Sequence, residues 1–252
     1  IASCLVGSEM CIRDRTPSDS VEGDWSVSHI TVSSTNRGQF SDSLELNTSV
    51  RIPVRGLVLT VENFENSGDP STTVVYSFSL ENTGTDPDDF SLSIERCEGC
   101  SAWGASLNTY KITDLDNGDF YDFEMYIEIP DSARNTDFAE MTVIAQSDDD
   151  LEVEQSVYTI TSVDKVLDRQ ISWSSGMVLN PGESSVIDIS ISNYGNSYQS
   201  YTFESDELPN GWDFINFPHQ TEDLEPYIGD ETFSIPFTVS ENENPGYYNF
   251  TI

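Results

Sequence analysis

The chain has 252 residues, of which 45 are acidic and 10 basic, so its formal charge is −35 at pH 7. A negative field of this size repels phosphate backbones and anionic membrane surfaces, which argues against nucleic-acid binding. The acidic residues are spread among 37% hydrophobic residues, enough to form a core, and no stretch approaches the roughly 20 apolar residues of a membrane-spanning helix.

The first fifteen residues read IASCLVGSEMCIRDR and differ from the polar, strand-rich sequence that follows. They lack the cationic region and cleavage site of a signal peptide. CLVGSEMCIRDR resembles the translated sequencing-adaptor tail at the ends of many metagenome-derived proteins, so residues 1–15 are predicted to be an artefactual tail. The alternative is a genuine N-terminal strand that carries two free thiols. The chain also stops inside the apolar alternation Tyr248-Phe250-Ile252, which predicts a fragment of a longer reading frame.

Residues 16–53 are predicted to be the C-terminal hairpin of a truncated preceding repeat. Ile30-Thr-Val32 resembles Met141-Thr-Val143, and the stretch 44–50 resembles 151–163. The segment before residue 54 therefore resembles the end of the repeat that follows it.

An internal repeat organises the rest of the chain. Residues 74–84 align with 185–195, so that Asn82 and Gly84 each recur 111 positions later as Asn193 and Gly195. Four alternating apolar residues also recur, at a separation of 110: Phe123, Met125, Ile127 and Ile129 match Phe233, Ile235, Phe237 and Val239. We therefore predict a complete immunoglobulin-like β-sandwich over residues 54–164 and a second one, truncated at its C-terminal end, over 165–252.

Period-two alternation of apolar and polar residues predicts strands throughout both repeats. Seven such runs can be placed between Leu57 and Val163, separated by turn clusters at 66–70, 82–84 and 116–119. Short, evenly spaced strands without helical periodicity predict an all-β protein made of tandem immunoglobulin-like sandwich repeats of about 110 residues. Asn-x-Gly is interpreted as a turn that uses positive φ, and Trp103 and Trp212, at nearly matching places, are predicted to pack in the core.

Several short motifs resemble a known family. The strand–Asn-x-Gly–strand pattern, Leu208-Pro-Asn-Gly-Trp212 and Ile235–Val239 followed by Pro245-Gly-Tyr247 are similar to the immunoglobulin-like modules called CARDB and the NPCBM-associated domain. The resemblance covers roughly residues 54–252. It implies tandem modules of archaeal or bacterial surface proteins that serve adhesion, spacing or accessory binding, and it transfers no catalytic residue. The first repeat departs from it, since residues 97–103 stand where the second has Leu-Pro-x-Gly-Trp.

Cys97 and Cys100 are the cysteines that remain once the tail is set aside. A structural zinc site needs four ligands, and His29 and His219 belong to other repeats. A redox pair needs a βαβ context that the pattern lacks. A small loop disulfide is the favoured interpretation, and it agrees with an extracytoplasmic compartment.

No catalytic motif occurs, so the chain is predicted not to be an enzyme and to need no cofactor. Calcium is the candidate ligand, because hard cations bind clustered carboxylates on loops. The leading candidates are Asp114, Asp116 and Asp119, with further clusters at 86–89 and 148–150. Against this interpretation, the counterpart of 116–119 in the second repeat, at 226–230, is a plain turn.

Two functions are compatible with these features. The first is a non-catalytic structural or adhesive module of a secreted or cell-surface protein, whose partners are other repeats of the same chain; a laterally assembling surface-layer component is a variant of it. The second is an accessory domain of a secreted hydrolase that binds protein or glycan through exposed aromatics such as Tyr110, Tyr121 or Tyr198. The sequons at Asn47 and Asn249 permit glycosylation in a compartment that performs it.

Overall fold

The computed structural model describes residues 20–34, 36, 41–174, 176–205 and 209–248, together with the backbone of residues 2–6 and 9–13. The prediction of an all-β protein is confirmed: the described residues form strands, joined by turns and one 3₁₀ turn at Cys100–Ala102.

Two antiparallel hairpins lie at the N-terminal end. The four strands are β1 (Ala2–Val6), β2 (Glu9–Arg13), β3 (Trp25–Ser33) and β4 (Ser41–Ser49). Each pair forms a two-stranded sheet of its own. The hairpin predicted within residues 16–53 is thus present as β3 and β4, whereas its membership of a preceding repeat and the artefactual origin of residues 1–15 stay predictions.

The first sandwich spans residues 57–163, all of which are described. Its strands are β5 (Leu57–Val61), β6 (Glu65–Gly68), β7 (Thr73–Asn82), β8 (Asp88–Arg96), β9 (Gly104–Leu107), β10 (Lys111–Leu115), β11 (Phe120–Glu128), β12 (Phe138–Ser147) and β13 (Glu154–Val163). One sheet has the order β5-β7-β11-β9 and the other β10-β8-β12-β13-β6. Strands β5, β7, β11 and β9 take the A, B, E and D positions of an immunoglobulin-like sandwich, and β8, β12 and β13 take C, F and G.

The segment Asn66–Gly68, predicted as part of a turn, is instead in β6. This strand runs parallel to β13, and its flanks bond to the same strand, from Ile160 N to Phe64 O at 2.7 Å and from Asp164 N to Gly68 O at 2.8 Å. An edge strand of this kind needs backbone groups alone, so turn-forming residues can occupy it without the alternation that reveals a strand. Nine strands therefore stand where seven runs are predicted.

The core of the first sandwich lies between its two sheets. Alternate residues of the paired strands β7 and β11 point into it, and the rings of Phe78 and Phe123 stack with centroids 5.2 Å apart. Trp103 is buried in this core, as predicted.

The second unit spans residues 169–239. Its strands are β14 (Arg169–Trp173), β15 (Ser184–Asn193), β16 (Thr202–Phe203), β17 (Asp213–Phe214), β18 (His219–Gln220) and β19 (Asp230–Thr238). One sheet has the order β14-β15-β19-β17, and β16 pairs with β18. The four-stranded sheet repeats the order β5-β7-β11-β9, although the repeat length of about 110 residues stays a prediction.

Trp212 occupies the position in the second unit that Trp103 occupies in the first. Each tryptophan directly precedes a strand that pairs with the long β11 or β19, and Gly104 lies opposite Glu128 as Asp213 lies opposite Thr238. Trp212 is half-buried and stacks on Phe237 with ring centroids 5.9 Å apart.

A buried asparagine closes the loop after the central strand of each unit. Asn82 has no exposed surface, and its amide donates to Leu115 O at 2.7 Å and Asp86 O at 3.0 Å while its oxygen accepts from Gly84 N at 2.8 Å. Asn193 is equally buried and makes the corresponding bonds, to Ser197 O, Leu224 O and Glu225 O and from Gly195 N. The repeated Asn-x-Gly motif is therefore an internal hydrogen-bonding device.

The glycines of this motif do not use positive φ, which corrects the interpretation from the sequence. A Cβ on Gly84 would lie 2.7 Å from Val54 O, and one on Gly195 would lie 2.5 Å from Val166 O. Contacts this short are forbidden, so glycine is required because the incoming chain passes directly against it. The Leu179–Glu183 turn does use positive φ, at Gly182 (77°).

Asn82→Ala should lower the free energy of unfolding of the first sandwich by about 3 kcal/mol, because it leaves buried backbone groups of Leu115 and Gly84 without partners. Urea denaturation of the chain measures this loss. Asn63→Ala, at an exposed position before β6, is the matched control and should stay within about 0.5 kcal/mol of wild type. A loss in Asn82→Ala no greater than that of the control would contradict the role assigned to the amide.

Candidate functional site

The junction between the first sandwich and the second unit is organised by Asn196, which is 1% exposed. Its side-chain oxygen accepts from Val166 N at 2.9 Å, and its amide donates to Asp164 O at 2.7 Å. Its backbone carbonyl accepts from Asn135 N at 3.1 Å, in the β11–β12 loop of the first sandwich. One residue of the second unit thus holds both the connecting segment and the neighbouring sandwich.

Tyr227 adds a second link across the junction. Its hydroxyl donates to Ala133 O at 2.6 Å, and its own N–H donates to Gly195 O at 3.0 Å. Burial, followed by the nearby charges of Asp131 and Asp137, raises the pKa of Tyr227 above the usual tyrosine value. The hydroxyl therefore remains a neutral donor across the physiological range.

The connecting segment 164–168 has its backbone bonded along its length. Val166 O accepts from Asn196 N at 3.2 Å, and Asp168 O accepts from Tyr194 N at 2.9 Å and Gly195 N at 3.1 Å. A segment with these bonds does not behave as a flexible linker of the Gly/Ser type.

The N-terminal end of the first sandwich uses a similar device. Thr85 stands where the second unit has Asn196; its hydroxyl accepts from Val54 N at 3.0 Å, and its N–H donates to Val54 O at 2.8 Å. Arg51 forms an ion pair with Asp86 at 2.7 Å. The chain entering each unit is thus bonded to the loop that follows the central strand.

The acidic clusters 86–89 and 148–150, which the sequence treats separately, meet at this same end. Asp148 N donates to Asp89 O at 2.8 Å. The buried carboxylate of Asp88 accepts from Ser147 Oγ at 2.7 Å and lies 4.0 Å from the guanidinium of Arg55. Sequence reasoning missed this pairing because Arg55 is more than thirty residues from its partners.

Two further basic side chains, besides Arg51, form ion pairs with these clusters. Arg55 pairs with both Asp88 and Asp149, and Lys111 Nζ lies 2.8 Å from Asp148 and 3.5 Å from Asp89. The hydrogen bond from Lys111, followed by one from Ser91 Oγ, holds the pKa of Asp148 below its usual value. The same bond to Asp148 raises the pKa of Lys111. Basic side chains of the chain itself therefore supply counter-charge to these carboxylates.

The calcium candidates Asp114, Asp116 and Asp119 lie in and after β10. Asp114 has φ 54° and donates its N–H to Asp89 Oδ1 at 2.8 Å, and Asp119 N donates to Asp116 O at 3.1 Å. Within the described part of the chain, no three or more His, Cys, Asp or Glu side chains are grouped so that they could hold a metal ion. Calcium binding at this loop stays a prediction without support from the arrangement.

Cys97 and Cys100 are joined as a disulfide, with Cα atoms 5.4 Å apart. Gly99 between them has φ 87°, and Cys97 N donates to Glu140 O at 3.0 Å. The loop leads from the end of β8 into the 3₁₀ turn and then to the buried Trp103. The disulfide loop thus positions Trp103, as a loop of different sequence positions Trp212 in the second unit.

The exposed tyrosines proposed for glycan binding lie on three different elements. Tyr110 is in the β9–β10 loop, where its hydroxyl accepts from Leu107 N; Tyr121 is on β11; and Tyr198 is at the junction, with the guanidinium carbon of Arg134 6.0 Å from its ring centroid. They share no strand or loop. Of the sequons, Asn47 is exposed on β4, whereas Asn249 lies outside the described residues.

No helical segment among the residues that are described has the length and apolarity that crossing a bilayer requires.

No protein-family model and no curated protein matches the chain. Similar solved structures include domains 4 and 5 of the S-layer protein SbsC, at 10% identity and a TM-score of 0.30 over 49% of this chain and 62% of that one. The secreted serine protease VesC from Vibrio cholerae matches at 11% identity and a TM-score of 0.32, over 75% of this chain and 48% of that one. The YadV chaperone matches at 13% identity and a TM-score of 0.30, over 77% of this chain and 88% of that one.

The aligned part of the chain thus spans less than two thirds of the SbsC and VesC chains. At these identities and TM-scores the likeness carries no argument about function.

Lys111→Met should raise the pKa of Asp148 toward its ordinary value, because the hydrogen bond that lowers it is lost. An NMR titration of the Asp148 carboxyl measures this directly. Lys165→Met is the matched control, since Lys165 is exposed and lies in the connecting segment. An unchanged Asp148 titration in Lys111→Met would show that the ion pair does not form in solution.

The same pair sets the pH range over which it stabilises the fold. The lowered pKa of Asp148 stabilises the folded state above the ordinary value of 3.8, and this contribution is lost as the pH falls through the lowered pKa. The raised pKa of Lys111 stabilises the folded state below the ordinary value of 10.5, and that contribution is lost as the pH rises through the raised pKa. The stability difference between wild type and Lys111→Met should therefore be constant between these limits and shrink outside them.

Calcium binding at the Asp114–Asp119 loop is tested by thermal melts of the whole chain with calcium and with chelator. A ligand that binds only the folded state raises the midpoint. Binding at this loop predicts a rise of several degrees that chelator reverses and that Asp116→Asn with Asp119→Asn abolishes. An equal midpoint in both solutions at millimolar calcium would contradict the prediction.

Proposed function

We propose that the chain is a non-catalytic structural or adhesive module of a secreted or cell-surface protein, in which successive sandwiches act as spacers of fixed relative orientation. The observation that carries this proposal is Asn196, whose side chain and backbone bond the connecting segment and the first sandwich at once. Relative motion is the default for neighbouring domains. Asn196 opposes that motion, because its buried side chain bonds the connecting segment and its backbone carbonyl bonds the first sandwich.

The charge and the disulfide support the same proposal. A net charge of −35 keeps the surface solvated and repels other acidic surfaces, which suits a spacer that must not aggregate. A disulfide in the loop after β8 is typical of an oxidising, extracytoplasmic compartment. The partners in this proposal are other repeats of the same chain, and no catalytic residue or cofactor has a part in it.

The alternative of an accessory glycan-binding domain has less support. Stacking on sugars needs aromatic side chains that present one surface, whereas Tyr110, Tyr121 and Tyr198 lie on separate elements, one of them in the second unit.

Asn196→Ala should loosen the junction, because Val166 N and Asp164 O lose their side-chain partner. The distance between the two units can be measured by pulsed electron spin resonance, with labels on unnatural amino acids at the exposed positions Glu152 and Asp223. Labelled protein is diluted with unlabelled protein so that only distances within one chain contribute. Wild type should give one narrow distribution and Asn196→Ala a clearly broader one.

Asn242→Ala, at an exposed position in the turn after β19, is the matched control and should keep the narrow distribution. A broad distribution in the wild type would contradict the spacer proposal, whatever the variant does.

A further inference from the structure

The Cys97–Cys100 disulfide lies where the chain crosses from one sheet of the first sandwich to the other. Strand β8, which ends just before Cys97, belongs to one sheet, and β9 belongs to the other. Cys97 extends the pairing of β8 with β12, because its N–H donates to Glu140 O at 3.0 Å and its sulfur accepts from Glu140 N at 3.4 Å. The disulfide therefore ties Cys100 to a residue that β12 holds in place.

Cys100 is the buried end of the disulfide, and it begins the segment that crosses to the second sheet. It is 4% exposed, and its carbonyl accepts from Trp103 N at 3.1 Å at the end of the 3₁₀ turn. Cys100 and Trp103 both belong to the core of the first sandwich. The bond that holds Cys100 thus also helps to hold this core tryptophan.

Strand β9, which follows Trp103, is attached to the sandwich by few contacts. It has four residues, lies at the edge of its sheet and, among the described strands, pairs with β11 alone. Of its residues only Leu107 is buried. Short edge elements with few buried contacts open locally at a lower free energy than the whole domain. The segment 97–107 is therefore a part of the sandwich whose opening the disulfide can control.

The second unit fixes the equivalent tryptophan without sulfur. Trp212 N donates to Pro209 O at 3.0 Å, so Pro209 takes the place before the tryptophan that Cys100 takes in the first sandwich. The indole N–H of Trp212 also donates to the carboxylate of Glu243 at 2.9 Å. A proline ring fixes the backbone permanently, whereas a disulfide can be reduced. The two units therefore differ in whether a reductant can release the tryptophan.

Cys97 carries the sulfur that a reductant can reach. It is half-buried, and Glu98 and Gly99 beside it are exposed, whereas Cys100 is buried. A thiolate of a dithiol reductant attacks Sγ of Cys97, forms a mixed disulfide and releases the Cys100 thiolate. The second thiolate of the reductant then attacks the reductant's own sulfur, which releases Cys97 and closes a disulfide within the reductant. Two electrons pass to the protein, and each cysteine takes up a proton and ends as a thiol.

We propose that the Cys97–Cys100 disulfide is a redox-sensitive switch that keeps Trp103 and β9 closed on the first sandwich. Reduction by a dithiol allows the segment 97–107 to open, which exposes Trp103 and leaves the β11 edge at Met125–Glu128 unpaired. The second unit, with Pro209 in place of Cys100, does not respond. The switch goes beyond the spacer function, because it adds a response to the redox state and uses no group of the junction.

Hydrogen exchange of the whole chain, measured by mass spectrometry, tests the proposal. The substitutions Cys4→Ser and Cys11→Ser remove the other cysteines of the sequence, so that the reductant acts on Cys97 and Cys100 alone. Dithiothreitol should accelerate exchange in β9 about 20-fold, because the open segment regains the entropy that closing the short loop 97–100 removes. Exchange in the central strand β7 and in β17, the counterpart of β9, should stay within about twofold of that in the oxidised protein.

A variant without the disulfide and a matched control complete the test. Cys97→Ala with Cys100→Ala, in the same serine background, should show fast exchange in β9 both with and without dithiothreitol. Ser101→Ala, at an exposed position of the same loop, should keep the response of the parent protein. Alkylation of free thiols, counted by mass, shows when the disulfide is reduced. Free Cys97 and Cys100 thiols before reductant is added, equal β9 exchange in the oxidised and reduced protein, or an equal acceleration in β7 would each overturn the proposal.

Discussion

The buried amide after the central strand of each unit is the interaction on which the architecture depends. Asn82 and Asn193 have no exposed surface, and each side chain bonds the backbone of its own loop to that of a second segment, at Leu115 or Leu224. The loop they close is also the loop against which the incoming chain passes, close enough that only glycine fits at positions 84 and 195. One polar group thus holds a loop of the sandwich, and through that loop it sets where the preceding segment enters.

The junction is an extension of the same arrangement. Thr85 and Asn196 follow the two Asn-x-Gly motifs directly, and each uses its side chain to hold the backbone of the entering segment. A spacer of fixed orientation therefore needs no large interface between sandwiches. It needs a loop held rigid by internal hydrogen bonds. It also needs hydrogen bonds between that loop and a few backbone groups of the connecting segment.

Charge acts at the surface of this framework. Most of the 45 acidic residues solvate the sheets, but the clusters at 86–89 and 148–150 converge and are held by Arg55 and Lys111. Carboxylates that are close in sequence suggested metal ligands, whereas carboxylates that are close in space have basic side chains as partners. An exposed pair such as Lys111 and Asp148 contributes little to stability. Its effect is to hold neighbouring acidic loops together despite their repulsion.

The sequence by itself determined the all-β class, the strands with clear alternation such as β7, β11 and β15, and the equivalence of Asn82 with Asn193, because side-chain periodicity and matched motifs are local properties of the chain. Only the tertiary structure decided the strand status of β6, the reason for Gly84 and Gly195, the pairing of Arg55 with Asp88, and the junction at Asn196. Each of these depends on backbone or charged groups that are distant in sequence. A hydrogen bond or an ion pair between such groups leaves no periodic trace in the chain, since it is specified by the approach of two segments rather than by the residues along one.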